Sequence, residues 1–106
     1  MGIIDFFRQP DINVDIAHYY NTPGSLLMDV RTPQEYREGH IHGSTYIPLQ
    51  SIDKVEFVAE NKDTAIYVYC RSGSCSRQTV NFLRYIGHGN VTNIGGITAY
   101  TRKLAY

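Results

Sequence analysis

The stretch Ala65-Ile-Tyr-Val-Tyr-Cys-Arg-Ser-Gly-Ser-Cys-Ser-Arg77 holds both cysteines of the chain. Its opening, Ala65–Tyr69, is rich in β-branched and aromatic residues and predicts a strand. From Arg77 to Ile86 the apolar residues Val80, Leu83 and Ile86 share one face at helical spacing, and Gly87 is the stop. Cys70-Arg-Ser-Gly-Ser-Cys75 is then a loop from the end of a strand to the start of a helix. Gly73 permits positive φ and close backbone approach.

The same rhythm runs outward in both directions. Asn13–Tyr20 shows one apolar helical face, and Asn21-Thr-Pro-Gly-Ser25 is a turn cluster. Leu26–Val30 is a short buried-strand pattern with Asp29 near its carboxyl end. Thr32-Pro-Gln-Glu35 carries a capping box with proline at the first helical position, so a helix runs to about Glu38 and stops at Gly39. Ser44–Pro48 reads as a strand, and 52–58 as a short helix before the polar turn Glu60–Asp63. Val91–Ile94 is the last strand, and Gly95-Gly96 opens a final helical segment over 97–104. Alternating strands and helices predict an α/β fold, a mostly parallel sheet covered on both faces. Ligands in such sheets sit beyond the carboxyl ends of the strands, where Asp29, Arg31 and Cys70 fall.

With 106 residues the chain makes one compact domain. Residues 1–10 read as a loosely patterned lead-in, with the domain over 11–106. Apolar residues at 42% and charged residues at 19% place it among globular chains rather than disordered ones. The formal net charge of zero gives no basic surface for nucleic acid or anionic lipid. No apolar run reaches the roughly 20 residues that span a bilayer. Met1–Arg8 lacks a charged leader region and is broken by Asp5, so no export signal is read and a cytoplasmic location is expected. Thiols there stay reduced, which favours chemistry or packing over a structural disulfide.

Successive loop amides form an anion nest, and the following helix adds its positive pole. A cysteine in that setting often titrates at about 3.5–7.5, so Cys70 reads as a nucleophilic thiolate. An inert packed cysteine is the alternative. Cys75, at the helix mouth, reads as a bystander or as a resolving thiol. A thioredoxin-like pair has two intervening residues, whereas four separate Cys70 from Cys75. His40 and His42 match no usual zinc spacing beside these thiols, and His18 and His88 read as surface residues. A cysteine phosphatase loop would need arginine at position 76, but Ser76 stands there and Arg77 comes one residue late. Tyr69 stands where that family has histidine.

Taken together, Leu27-Met-Asp-Val-Arg31, Glu35-Tyr36, Gly39-His-Ile-His-Gly43, Tyr46-Ile-Pro48, Tyr67-Val-Tyr-Cys-Arg-Ser-Gly73, Gly95-Gly-Ile97 and Ala99-Tyr100 resemble the single-domain rhodaneses, from about Leu26 to Tyr100. The resemblance implies a doubly wound sheet of five strands. It implies that Cys70 accepts a sulfane sulfur from thiosulfate or another persulfide donor and passes it to cyanide or a thiol. The amides of Arg71, Ser72, Gly73, Ser74, Cys75 and Ser76 would hold the transferred sulfur by oxyanion-hole logic. A six-residue loop suits one sulfur atom, whereas phosphatase-like relatives have a loop one residue longer. Arg71 is read either as a charge for an anionic donor or as a solvated loop residue. Asp29 and Arg31 are expected to organise the cleft floor, Asp29 bonding loop amides and Arg31 pairing with Glu35 or Asp29. His40 and His42 are expected to hold turns.

Two positions depart from the resemblance. Cys75 stands where many relatives have arginine, and Tyr100 where tryptophan is usual. No cofactor and no metal are implied. A thioredoxin-like or sulfur-delivery protein is the partner class such domains work with. A non-catalytic interaction or redox-sensing module is the alternative function.

Overall fold

A computed structural model describes residues 11–59 and 61–106. The lead-in expected at residues 1–10 lies outside them, as does Glu60. Helix α1 spans Ile12–Tyr20, β1 Leu26–Asp29, α2 Pro33–Glu38 and β2 Thr45–Tyr46. A 3₁₀ segment at Leu49–Phe57 precedes β3 at Ile66–Cys70, α3 at Ser74–Tyr85, β4 at Val91–Gly96 and one 3₁₀ turn at Ile97–Ala99.

The sheet is parallel throughout, in the order β2-β1-β3-β4. Side chains alternate across it. Met28, Val68 and Cys70 point to the face covered by Val80 and Leu83 of α3 and by Val55. Leu27, Tyr69 and Ile94 point to the other face, under Ile12 and Ile16 of α1 and Ile41. Burying a side chain such as Leu83 contributes about 1.5–3 kcal/mol. Two packed faces on a parallel sheet are the expected α/β arrangement.

Four strands stand among the described residues, where five were expected. The strand expected over 44–48 shrinks to Thr45–Tyr46, because Pro48 has no amide to continue the ladder and starts the 3₁₀ segment. The helix expected from Arg77 begins at Ser74. Gly73 turns the chain there with φ 104°, and its carbonyl accepts from Arg77 N at 3.1 Å. Cys75 therefore lies on the first turn of α3.

The helix expected over 97–104 is a single turn. Beyond it Asn13 Oδ1 accepts from Thr101 N at 3.0 Å, and Ala105 pairs with His40 as an antiparallel bridge. These long-range bonds hold the segment extended. Gly95-Gly96 closes β4 rather than opening a helix. The ladder shifts there: Val68 faces Asn93, but Tyr69 faces Gly95. Gly95 has φ 96°, which explains a glycine at the bulge. The capping box of α2 forms as read, with Thr32 Oγ1 accepting from Glu35 N at 3.2 Å and Glu35 Oε1 accepting from Thr32 N at 3.0 Å.

Candidate active site

Asp29 and Tyr69 are register partners, so β1 and β3 end side by side. Their continuations, Val30-Arg31-Thr32 and Cys70-Arg71-Ser72, line one cavity of about 280 Å³ that also borders Glu35 and Cys75. A shallower cleft of about 610 Å³ adjoins it through Arg31, Thr32, Glu35 and Arg71, but Cys70 does not line it. The smaller cavity is the candidate site, because Cys70 lines it.

Cys70 is only 3% exposed. Its Sγ accepts from Gly73 N at 3.0 Å and from Ser76 N at 3.3 Å, and lies 3.5 Å from Ser76 Oγ. Burial alone would push the thiol's pKa up. The Ser76 hydroxyl and amide, then the Gly73 and Ser72 amides, oppose that and bring it below the ordinary value. The arrangement stabilises a thiolate out of water, which is what a nucleophilic sulfur needs. Among the loop amides, those of Ser72, Gly73 and Ser76 act on Cys70 Sγ itself. Those of Arg71, Ser74 and Cys75 make no hydrogen bond to it among the described residues.

The loop is held from below by Ser76 and Gly96, with Asn93, to which the sequence alone assigns no role. Ser76 Oγ lies 2.7 Å from Asn93 Oδ1 and 2.9 Å from Gly73 O, two acceptors for its one proton. Asn93 Oδ1 also accepts from Gly95 N at 2.9 Å, which ties the bulge of β4 to the cysteine loop. Gly96 lies directly beneath: a Cβ there would overlap the Arg71 carbonyl oxygen and stand 2.8 Å from Ser72 Cα. The glycine pair is thus the floor on which the loop rests.

Asp29 and Arg31 organise the neighbouring strand end, paired with each other as one of the two expected partnerships for Arg31, while the expected bond from Asp29 to the loop amides is not made. Asp29 does not reach the cysteine loop; its Oδ1 accepts from Arg31 N at 2.9 Å. Arg31 grips the same carboxylate, Nη2 to Oδ2 at 2.7 Å, and donates to Gly39 O at 2.7 Å. Glu35, occupied by its capping box, is not its partner. The Asp29 carboxylate offsets the burial of Arg31 and holds its guanidinium above the ordinary pKa. Tyr69 completes the network, donating to Asp29 Oδ2 at 2.7 Å and accepting from Ile41 N at 3.1 Å. Burial and the adjacent Asp29 charge push the Tyr69 phenol far up, so it stays a donor.

The remaining residues fall around this centre. Arg71 is exposed at the mouth shared by both cavities and makes no ion pair among the described residues. Ser74 and Cys75 are exposed on the first turn of α3. His40 Nδ1 lies 3.0 Å from Tyr36 O with the rings stacked at 3.9 Å, so its ring serves a turn, whereas His42 takes part through its backbone carbonyl, which accepts from Tyr20 Oη at 2.8 Å. His88, expected at the surface, is 2% exposed instead. Glu56 Oε1 and Lys62 Nζ each lie 3.5 Å from its Nε2. Tyr100 packs partly buried beside Ile12 and Ile94. No group of three His, Cys, Asp or Glu side chains among the described residues is placed to hold a metal ion. No helix among them is long and apolar enough to cross a membrane.

Comparison with known proteins agrees with this geometry. The family model for the rhodanese-like domain matches residues 15–103. A sulfurtransferase of Allochromatium vinosum is 37% identical over 83 residues, covering 77% of this chain and 77% of that protein. The adenylyltransferase and sulfurtransferase uba4 of Ogataea parapolymorpha is 37% identical over 97 residues, 91% of this chain but only 25% of that one. A solved structure of a rhodanese with anions from E. coli superposes with a TM-score of 0.72 at 28% identity, covering 76% of this chain and 96% of that one. The chain also matches tRNA uridine(34) hydroxylases, such as that of Cronobacter sakazakii, of which it spans 29%.

Proposed function

This chain belongs to the rhodanese-like domain family, and we propose on that premise that it is a sulfurtransferase whose Cys70 carries the sulfur. One observation carries the reading: a buried cysteine whose sulfur accepts two backbone amides at a strand-to-helix turn, 3.0 and 3.3 Å away.

The Cys70 thiolate attacks the outer sulfur of thiosulfate. The S–S bond breaks and sulfite leaves with its electron pair. Cys70 then holds a persulfide inside the loop. An acceptor, cyanide or a thiolate, attacks the terminal sulfur, and the Cys70 thiolate is the leaving group. The amides of Gly73 and Ser76 stabilise that thiolate in both steps, before loading and after release. Arg71 stands at the mouth, where an incoming oxyanion meets a guanidinium. A persulfide from a low-molecular-weight thiol or a sulfur-delivery protein is the other donor class, and the setting we propose is the cytoplasm.

Relatives of which this chain is only a quarter leave room for a second reading, a non-catalytic module inside a larger protein. The cradled thiol argues for activity, since an interaction module has no use for it. Thiosulfate and cyanide, supplied to the wild type and to Cys70→Ser, test the proposal. Thiocyanate formation by the wild type and none by the variant supports it. Equal rates from the two refute it.

A further inference from the structure

The sulfur-transfer steps leave one thiol without a task. Cys75 is exposed, yet it lines the same cavity as the buried Cys70. Four residues separate them, and the loop curls them together. Ser76 N lies 3.3 Å from Cys70 Sγ. Cys75 Cα is two covalent bonds from that nitrogen, so it sits within about 6 Å of the Cys70 sulfur. An S–S bond is about 2.05 Å long, so joining these two sulfurs across the shared cavity asks for a local loop adjustment rather than refolding. Cys75 Sγ makes no hydrogen bond among the described residues that would hold it back. It also occupies the loop's sixth position, counted from Cys70, at the rim of the pocket.

We propose that Cys75 is a resolving thiol, which attacks Sγ of the Cys70 persulfide, expels hydrosulfide and closes a Cys70–Cys75 disulfide. The inference rests on the sulfur-carrier reading of Cys70. The bond that forms joins the two cysteine sulfurs. The bond that breaks joins Cys70 Sγ to the sulfane sulfur, which departs with the electron pair and a proton as hydrosulfide. The sulfane sulfur is reduced and the two thiols are oxidised, so the closing step needs no outside oxidant. A dithiol reductant resets the pair by exchange. The domain then reduces a sulfane sulfur to sulfide by itself, without a separate sulfur acceptor.

Tryptic cleavage after Arg71 gives a direct test, because it parts the cysteines into the peptides Asp63–Arg71 and Ser72–Arg77. The wild-type chain and Cys75→Ser are loaded with inorganic polysulfide, desalted without thiol, and followed for released sulfide and by non-reducing mass spectrometry. The wild type is expected to release about one sulfide per chain and to yield the two peptides joined. Cys75→Ser is expected to lose that release and keep one extra sulfur on Asp63–Arg71. A wild type that keeps the sulfur on Cys70 with no linked peptides overturns the inference. So does sulfur found on Cys75 itself, or equal sulfide release from the variant. If Cys75→Ser takes up no sulfur at Cys70, the carrier reading fails first and takes this one with it.

Discussion

Replacing Gly96 with alanine asks whether the floor beneath the cysteine loop sets its reactivity. Gly96 has φ −105° and ψ 140°, torsions that alanine adopts freely. Any loss therefore comes from contact and not from backbone strain. The new methyl would overlap the Arg71 carbonyl oxygen, stand 2.8 Å from Ser72 Cα and 3.0 Å from the Arg71 carbonyl carbon. Carbon atoms settle at about 3.5–4.0 Å, and all three neighbours are backbone, so the loop must rise by about half an ångström or more. Overpacking of this kind costs about 1–3 kcal/mol. In a chain of about 100 residues each kcal/mol lowers Tm by about 4–8 °C. The larger effect falls on the sulfur, whose amide contacts at 3.0 and 3.3 Å depend on the loop's position. Displacements near 1 Å at a reacting centre cost about 10²-fold in rate. Iodoacetamide alkylation of Cys70, read on its tryptic peptide, should slow at least several-fold. Gly89→Ala is the matched control, with nothing within 4 Å of its added Cβ and no positive φ. If Gly96→Ala alkylates at the wild-type rate and melts with Gly89→Ala, the floor argument is wrong.

Other consequences follow from the same contacts. Arg31→Met leaves the buried Asp29 carboxylate without its ion partner and should destabilise by about 3–5 kcal/mol in urea. Tyr69→Phe removes one donor to Asp29 and one acceptor for Ile41 N, which should cost less, about 1–3 kcal/mol; a Tyr69→Phe loss equal to that of Arg31→Met would contradict the network drawn here. The alkylation rate of Cys70 plotted against pH should show a midpoint below that of a free thiol, and Ser76→Ala, which removes a hydroxyl 3.5 Å from Sγ, should move it upward. A lowered folded-state pKa means the unfolded chain binds more protons. The thiolate's contribution to stability is thus full above the unfolded pKa, about 8.5, and is lost as pH falls through the folded one. Cys70→Ala should lack that pH-dependent part, which denaturation of both chains across the range would show.

How much of this was legible in the sequence depended on distance along the chain. The strand–loop–helix at Cys70 and the capping box at Thr32–Glu35 rest on neighbours within a few residues; the box stands where it was read, and the strand–loop–helix does so with its helix starting three residues earlier. The two-faced parallel sheet followed from alternation, which is also local. Asn93 was invisible because its partner Ser76 is 17 residues away. Tyr69 looked like strand filler; its role needs Asp29, 40 residues upstream. Gly95-Gly96 sent a true local signal with the wrong meaning. Glycines punctuate helix starts as readily as bulges, and only the loop pressed against them shows which applies. His88 misled for the opposite reason, since its polarity suggested the surface, yet it is buried beside Lys62 and Glu56, partners 26 and 32 residues upstream.

The central claim is that Cys70 is the atom that carries sulfur. Its most direct measurement is the mass of the Asp63–Arg71 peptide, which contains Cys70 and not Cys75, from Cys75→Ser incubated with thiosulfate or with a persulfide of a small thiol. The account predicts a gain of one sulfur atom on that peptide, removed by cyanide as thiocyanate and absent when Cys70 is also serine. An unmodified peptide with both donors would contradict it.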